Sequence, residues 1–386
     1  MEGDFIKVNN WLLPLSWVYG LAVRTRNMLF DMGVLKHHSF AVPIISVGNI
    51  TVGGTGKTPH VEYLLKLLQE HGKVAVLSRG YRRKTSGFVL AGDDDTARTI
   101  GDEPYQIKQK FPQATVAVDK DRVRGIKRLL EMAPDMDVIL LDDAFQHRYV
   151  KPGINILLVD YHRLIIYDKL LPAGRLREPL NGKDRADVVI VTKCPKELKP
   201  MEFRVLTKAL ELYPYQSLYF TTFEYDDMQN ISDGRRESLD SITHEEYVML
   251  LTGIASPRQL TEDLTPKIKN LTSLSFPDHH DFSKKDIRRI NQAFDALPRP
   301  RRIITTEKDA ARLAKAEGLS DDVLKNTYVL PVHVCFMLRQ ETTFNENILG
   351  YVRKNSRNSI LAKGKDGHSY KDVGNQVPIP TIISFR

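Results

Sequence analysis

The stretch GNITVGGTGKTP, residues 48–59, limits the possible folds more than any other part of the chain. It follows VPIISV, residues 42–47, an apolar run rich in β-branched residues that reads as a buried strand. It precedes HVEYLLKLLQEHGK, where Val61, Leu64, Leu65, Leu67 and Leu68 recur at helical spacing and Gly72 supplies a stop. A glycine-rich turn between strand and helix is the setting of a phosphate-binding loop. In G-x-x-x-x-G-K-[ST], the position of the first glycine falls on Thr51, with glycines instead at 48, 53 and 54. The chemistry needs bare backbone more than one particular glycine. Thr51, Val52, Gly53, Gly54, Thr55, Gly56, Lys57 and Thr58 are therefore the candidate nucleotide-binding residues. Lys57 offers a mobile cation for phosphate, and the Thr58 hydroxyl a ligand for Mg²⁺. Pro59 is tolerated in the first turn of the helix, where its missing N–H has no intrahelical partner to lose.

Further short apolar runs follow: KVAVLSR (73–79), TVAVD (115–119), DVILLDD (137–143), NILLVDY (155–161) and DVVIVTKC (187–194). Several are separated by helix-length segments. This predicts an α/β fold of the phosphate-loop NTPase type, a mostly parallel sheet covered by helices on both faces. Ligands in such sheets bind beyond the carboxyl ends of the strands, so Arg79, Asp119, Asp142, Asp143 and Lys193 share an edge with Lys57. At 386 residues the chain has room for two domains. The expected division is an N-terminal helix (1–35), a phosphate-loop domain (36–205), linker strands (206–240), a smaller α/β domain (241–355) and a polar tail (356–386). The second domain is read from YVMLLTGI, LTSLSF and RRIITTEKDAARL, with helices starting near Pro257 and Ser283.

DVILLDD resembles a Walker B strand, which ends in a carboxylate that helps hold the nucleotide's Mg²⁺. Asp142 and Asp143 are both candidates, and Asp142 is preferred for the direct contact. VTKCP lacks the aspartate of the guanine-reading [NT]KxD pattern, which favours ATP. Transfer to an alcohol also needs a base, and GDEP (101–104) and PDHHDF (277–282) are the candidate segments.

A formal charge of +8 points to an anionic partner, but no nucleic-acid-binding signature accompanies it. Cys194 and Cys335, the only cysteines, lie in no CxxC or Cys/His cluster, as expected for a reduced compartment. WLLPLSWVYGLAVRTRNMLF, residues 11–30, is too short in its uncharged part to span a bilayer and is interrupted by Pro14 and Gly20. Aromatics beside arginines suit a helix lying in a membrane interface; packing against the protein's own core is the alternative.

Taken in order, VGNITVGGTGKTP, SRGY, GDEP, DKDR, LLDDAFQHR, LLPAGRLREPL, TGIASP, FPDHHDF and TTEKDA resemble the tetraacyldisaccharide 4′-kinase family over about residues 5–345. The family writes its phosphate loop as NITVGGTGKTP or a close variant, which accounts for the missing first glycine. The resemblance implies two α/β domains with a catalytic cleft between them, bound peripherally at the cytoplasmic face of the bacterial inner membrane. It implies transfer of the ATP γ-phosphate to the 4′-hydroxyl of a tetraacyldisaccharide 1-phosphate, forming lipid IVA in lipid A biosynthesis. It further implies Lys57 and Asp102 as catalytic groups, Asp102 as base paired with His279, and Thr58, Asp142 and Asp143 on the metal side. Arg122, Arg177 and Glu178 would position phosphates or substrate. A phosphate-loop ATPase working as a protein maturation or targeting switch is the competing expectation; it needs neither an interfacial helix nor an acceptor base.

Overall fold

The computed structural model describes residues 8–278, 280–313 and 316–356. The chain divides into two units: the first runs to Thr222 and resumes at Val334, and the second is Phe223–His333. In the first unit, α1 (Leu13–Asp31) is followed by β1 (Ile44–Gly48), α2 (Lys57–Gln69), β2 (Val74–Ser78) and β3 (Val89–Leu90). Next come α3 (Ala97–Ile100), α4 (Asp102–Lys110), β4 (Thr115–Val118), α5 (Arg122–Met132), β5 (Val138–Asp142), β6 (Ile154–Asp160), β7 (Val188–Thr192), α6 (Pro200–Leu210) and β8 (Ser217–Tyr225). The second unit contributes β9 (Met228–Asn230), β10 (Arg236–Glu237), β11 (Tyr247–Thr252), α7 (Arg258–Leu264), β12 (Asn270–Ser275), α8 (Lys284–Asp295), β13 (Arg301–Thr306), α9 (Glu307–Leu313), α10 (Asp321–Lys325) and β14 (Thr327–Leu330). β15 (Val332–Phe336) and α11 (Glu341–Asn355) complete the chain's described elements.

The larger sheet has nine strands in the order β15-β8-β7-β6-β1-β5-β2-β4-β3. β1 lies parallel between β5 and β6, and the short β3 is paired antiparallel to β4. Every residue of β1, β2, β5, β6 and β7 is buried, which is why these strands read as continuous apolar runs. One apolar core gathers Leu157, Val159, Val189 and Val191 with Leu206 and Leu210 of α6. A second gathers Ile44, Ala75, Leu77, Ile139 and Leu141 with Ile126 and Leu129 of α5.

The smaller sheet has the order β10-β9-β14-β13-β11-β12, parallel from β14 through β12. The sequence reading placed residues 241–355 together, but β15 leads back into the first unit. Phe344, Ile348 and Tyr351 bury one face of α11, and the Tyr351 hydroxyl accepts from the Ile44 N–H at 3.3 Å. The tail expected from residue 356 lies, beyond Ser356, outside the described residues.

α1 is two-faced. Ser16 donates to Leu170 O at 3.0 Å and accepts from Ala173 N at 2.9 Å, while Tyr19 donates to Arg177 O at 2.8 Å. The opposite face leaves Trp17, Val18 and Leu21 exposed, and Trp11 just before the helix is 94% exposed. Among the described residues no helix is long and apolar enough to cross a membrane.

Candidate active site

β1 delivers the chain into the phosphate loop at the carboxyl edge of the sheet. Gly53 at φ 124° and Gly56 at φ 80° hold left-handed backbone that a side chain would strain, and Gly56 starts α2 without a side-chain cap. That start leaves the first N–H groups of α2 to an external anion. The first two residues of the predicted set do other work: Thr51 bridges to Leu176, and Val52 donates its N–H to Arg175 O at 2.8 Å. The loop is thus tied to the 175–177 segment at its entrance, ahead of the glycines at 53, 54 and 56.

β5 places its two aspartates differently. Asp142 is buried and accepts from Ser78 Oγ at 3.0 Å. Burial, then Glu103 and Asp143, push its carboxyl up to about 7, against the pull of Lys57 and the Ser78 hydroxyl. Asp143, at φ 47°, turns outward to stand 3.5 Å from Lys57 Nζ and 3.6 Å from Arg177 Nη1. Asp142, with Thr58 buried at the start of α2, supplies hard oxygen ligands in a spot with surplus negative charge, which fits Mg²⁺. Among the described residues no three His, Cys, Asp or Glu side chains form a metal cluster of their own.

Arg122, expected to position phosphates or substrate, is buried and lines the cavity described below. Its buried guanidinium donates to Asp119 O at 3.3 Å, Lys120 O at 3.4 Å, Asp142 O at 3.1 Å and Asp143 O at 3.4 Å. Burial pushes its pKa down to about 10, which leaves it charged near neutrality. It thus fixes the backbone turn that carries both aspartates. Glu178 is held by Arg185, and its other oxygen, 3.9 Å from Arg26, accepts no hydrogen bond among the described residues.

Asp102 opens α4. Gly101 before it has φ 97°, and a Cβ there would come 3.1 Å from the Gly80 backbone, so the SRGY and GDEP motifs meet at two bare backbones. The azimuth of α4 is set from α2, where the buried Glu62 accepts from Gln106 at 2.8 Å and Lys110 at 2.7 Å.

Beside Asp143 and Arg177 opens a cavity of about 810 Å³, whose walls also carry Tyr19 and Arg26 of α1, Arg79, Lys120 and His147. Its cations suit a phosphorylated ligand, and its unsatisfied atoms suit hydroxyls. Among the described residues His147 Nε2, like the Glu178 oxygen, has no hydrogen-bond partner. Burial and Arg122 push His147 down to about 4, so the imidazole is neutral. Sequence reasoning placed Arg79 at the ligand-binding edge of the sheet but did not single out Tyr19, Arg26 or His147 as ligand-binding residues. The signal available was FQHR, polar residues at a strand end.

Of the histidine pair, His280 stacks on Phe276 and bonds Asp286 at 3.0 Å beside the capping box of α8. His279, the expected partner of Asp102, lies outside the described residues.

The family model described as tetraacyldisaccharide-1-P 4′-kinase matches residues 8–353. A Phocaeicola vulgatus protein named tetraacyldisaccharide 4′-kinase is 59% identical over 364 residues, covering 93% of this chain and 99% of that protein. A Bacteroides thetaiotaomicron protein of the same name is 50% identical over 378 residues, covering 95% and 100%. The crystal structure of the "apo" form of LpxK from Aquifex aeolicus in complex with ATP superposes with a TM-score of 0.67 at 32% identity, covering 88% of this chain and 98% of that one.

Proposed function

This chain belongs to the tetraacyldisaccharide-1-P 4′-kinase family, and from that premise we propose how its residues divide the work of phosphoryl transfer. The enzyme is an ATP-dependent kinase of lipid A biosynthesis, moving the γ-phosphate to the 4′-hydroxyl of a tetraacyldisaccharide 1-phosphate. One observation carries the division of labour: Asp143 joins Lys57 of the phosphate loop to Arg177 of the basic cavity. Donor and acceptor sites thus share a wall.

In this reading residues 53–58 hold the triphosphate, with Lys57 following the charge that develops on the transferred group. Thr58 and Asp142 hold Mg²⁺, with Asp143 close by; the ion supplies charge neutralisation to the phosphates when bound. Arg79, Lys120 and Arg177 receive the 1-phosphate end of the acceptor, while Glu178 and His147 offer free atoms to sugar hydroxyls. Asp102 takes the proton as the 4′-oxygen bonds to the γ-phosphorus and the bond to the β-phosphate oxygen breaks, releasing ADP. His280 is already engaged by Asp286. The exposed apolar face of α1 seats the enzyme peripherally on the cytoplasmic face of the inner membrane. A substrate with four acyl chains leaves a bilayer only at about 0.8 kcal/mol per CH₂, so the enzyme meets it there.

The test is transfer of radiolabelled γ-phosphate from ATP to detergent-dispersed tetraacyldisaccharide 1-phosphate, with phosphate release followed in parallel without lipid. Label in the lipid with little lipid-independent hydrolysis is expected. Hydrolysis without lipid labelling would overturn this reading in favour of an ATPase switch.

A further inference from the structure

Three consecutive carbonyls of the phosphate loop end on buried side chains that take no part in the chemistry above. Lys193 Nζ donates to Gly54 O and pairs with Asp160 Oδ2 at 2.7 Å. Thr192 Oγ1 lies 3.0 Å from Thr55 O, with Val159 O a second acceptor at 3.3 Å. His60 Nδ1 donates to Gly56 O at 2.7 Å, and its Nε2 accepts from Thr221 Oγ1 at 3.0 Å. Lys193, Thr192, His60 and Asp160 are all buried, so none of them is a surface cation awaiting a ligand.

In a planar trans peptide the N–H points away from the C=O. Drawing the carbonyls of residues 54, 55 and 56 toward buried donors turns the N–H groups of Thr55, Gly56 and Lys57 the opposite way. A loop rich in glycine would otherwise sample many backbone states, each peptide free to flip. We infer that Lys193, Thr192 and His60 are positioning residues that set the anion-binding face of the phosphate loop before nucleotide arrives, with the Lys193–Asp160 pair as the main brace.

The sequence feature behind this brace is VTKCP, which lacks the guanine-reading aspartate but keeps the lysine. Lys193 sits at φ 59°, in left-handed backbone directly after β7, which turns its side chain out of the strand's alternation. The ligand class it serves is the polyphosphate of a nucleoside triphosphate, whatever the base. The inference rests on the ATP-binding reading, and the experiment separates the two.

Full-length protein would be titrated with ATP and with inorganic pyrophosphate, and KM measured for ATP and for the lipid. Thr192→Val removes one brace isosterically. Lys193→Met with Asp160→Asn removes the ion pair without leaving a buried charge behind. Removing the ion pair is expected to weaken ATP and pyrophosphate binding by about 10- to 100-fold, the scale of a charge-assisted hydrogen bond, Thr192→Val by about 2- to 10-fold, the scale of a neutral one, and both to leave the lipid KM near wild type. Lys193→Arg is expected to restore part of the ATP affinity. A purely structural brace predicts instead a lower melting temperature with unchanged ATP and pyrophosphate affinity in the folded variants, and that result would overturn the inference. Equal losses for ATP and lipid would do the same. A wild-type enzyme that binds neither ATP nor pyrophosphate would remove the nucleotide reading itself.

Discussion

At the scale of single residues, the site separates groups that touch reacting atoms from groups that hold the backbone. Under the proposed function, Asp102 belongs to the first class. Asp102→Ala is expected to lower kcat by at least about 10²-fold while ATP affinity stays near wild type, read by single-turnover transfer beside a binding titration. Near-normal turnover would remove it from the role of base. Arg122 belongs to the second class, because its guanidinium spans four carbonyls around the Asp142–Asp143 turn. A lysine has the charge but not the planar fork, so Arg122→Lys is expected to destabilise the fold by about 1–3 kcal/mol in urea titrations and to slow transfer as well. Wild-type stability and rate in that variant would mean that the carbonyl contacts contribute nothing. The sequence marked Arg122 as important through DKDR, but it gave no sign that the side chain points inward. That depends on the return of β5 beside α5, a tertiary fact.

At the scale of elements, α2 links the two ends of the reaction. Its N-terminus holds Lys57 and Thr58, and one turn later Glu62 fixes α4, whose first residue is Asp102. Glu62→Ala is expected to cut kcat by about 10-fold with a smaller change in the KM for ATP, because small misplacements of a catalytic group are costly. A change confined to the KM for ATP would contradict that coupling. His60, in the same helix, adds a pH signature. Burial holds its pKa at about 4, below the ordinary 6.5, so the unfolded chain takes up a proton that the folded one refuses. The stability that neutral His60 provides is full above pH 6.5 and is lost as pH falls toward 4. The advantage of wild type over His60→Gln in urea melts should therefore shrink by roughly 1 kcal/mol per pH unit across that window. A gap independent of pH would refute the buried neutral imidazole. The strands and the phosphate loop were legible because a fully buried parallel strand must be an apolar run and a phosphate cradle must have bare backbone. The braces were not: a Lys after β7 and a His in α2 look like any polar residue until the sheet order sets β6 beside β1 and β7 beside β6. The return of β15 and α11 to the first unit was hidden for a related reason. Phe344, Ile348 and Tyr351 carry helical spacing, but spacing does not say which sheet a helix covers.

At the scale of the whole molecule, the basic cavity and the exposed face of α1 belong to one problem, that of a charged head carried on acyl chains. One face of α1 supplies Tyr19 and Arg26 to the cavity wall, and the other presents Trp17, Val18 and Leu21 to the surroundings. An apolar face left uncovered in water is costly, whereas burying each such side chain returns about 1.5–3 kcal/mol. Under the proposed function, that arrangement would let the helix lie in a membrane interface with the cavity mouth toward the sugar phosphates. Trp17→Ser combined with Leu21→Ser alters only the outward face, since the inward contacts of Ser16 and Tyr19 stay intact. The double variant is expected to lose at least about 100-fold in partitioning to anionic phospholipid vesicles, from the apolar area removed. Its ATP affinity should be unchanged, and its kcat/KM for lipid in mixed micelles should fall with the partitioning. If vesicle binding survives, the outward face is not the membrane contact. If binding falls while kcat/KM for lipid stays at the wild-type value, the enzyme takes its substrate without docking, and the link between α1 and the cavity is wrong.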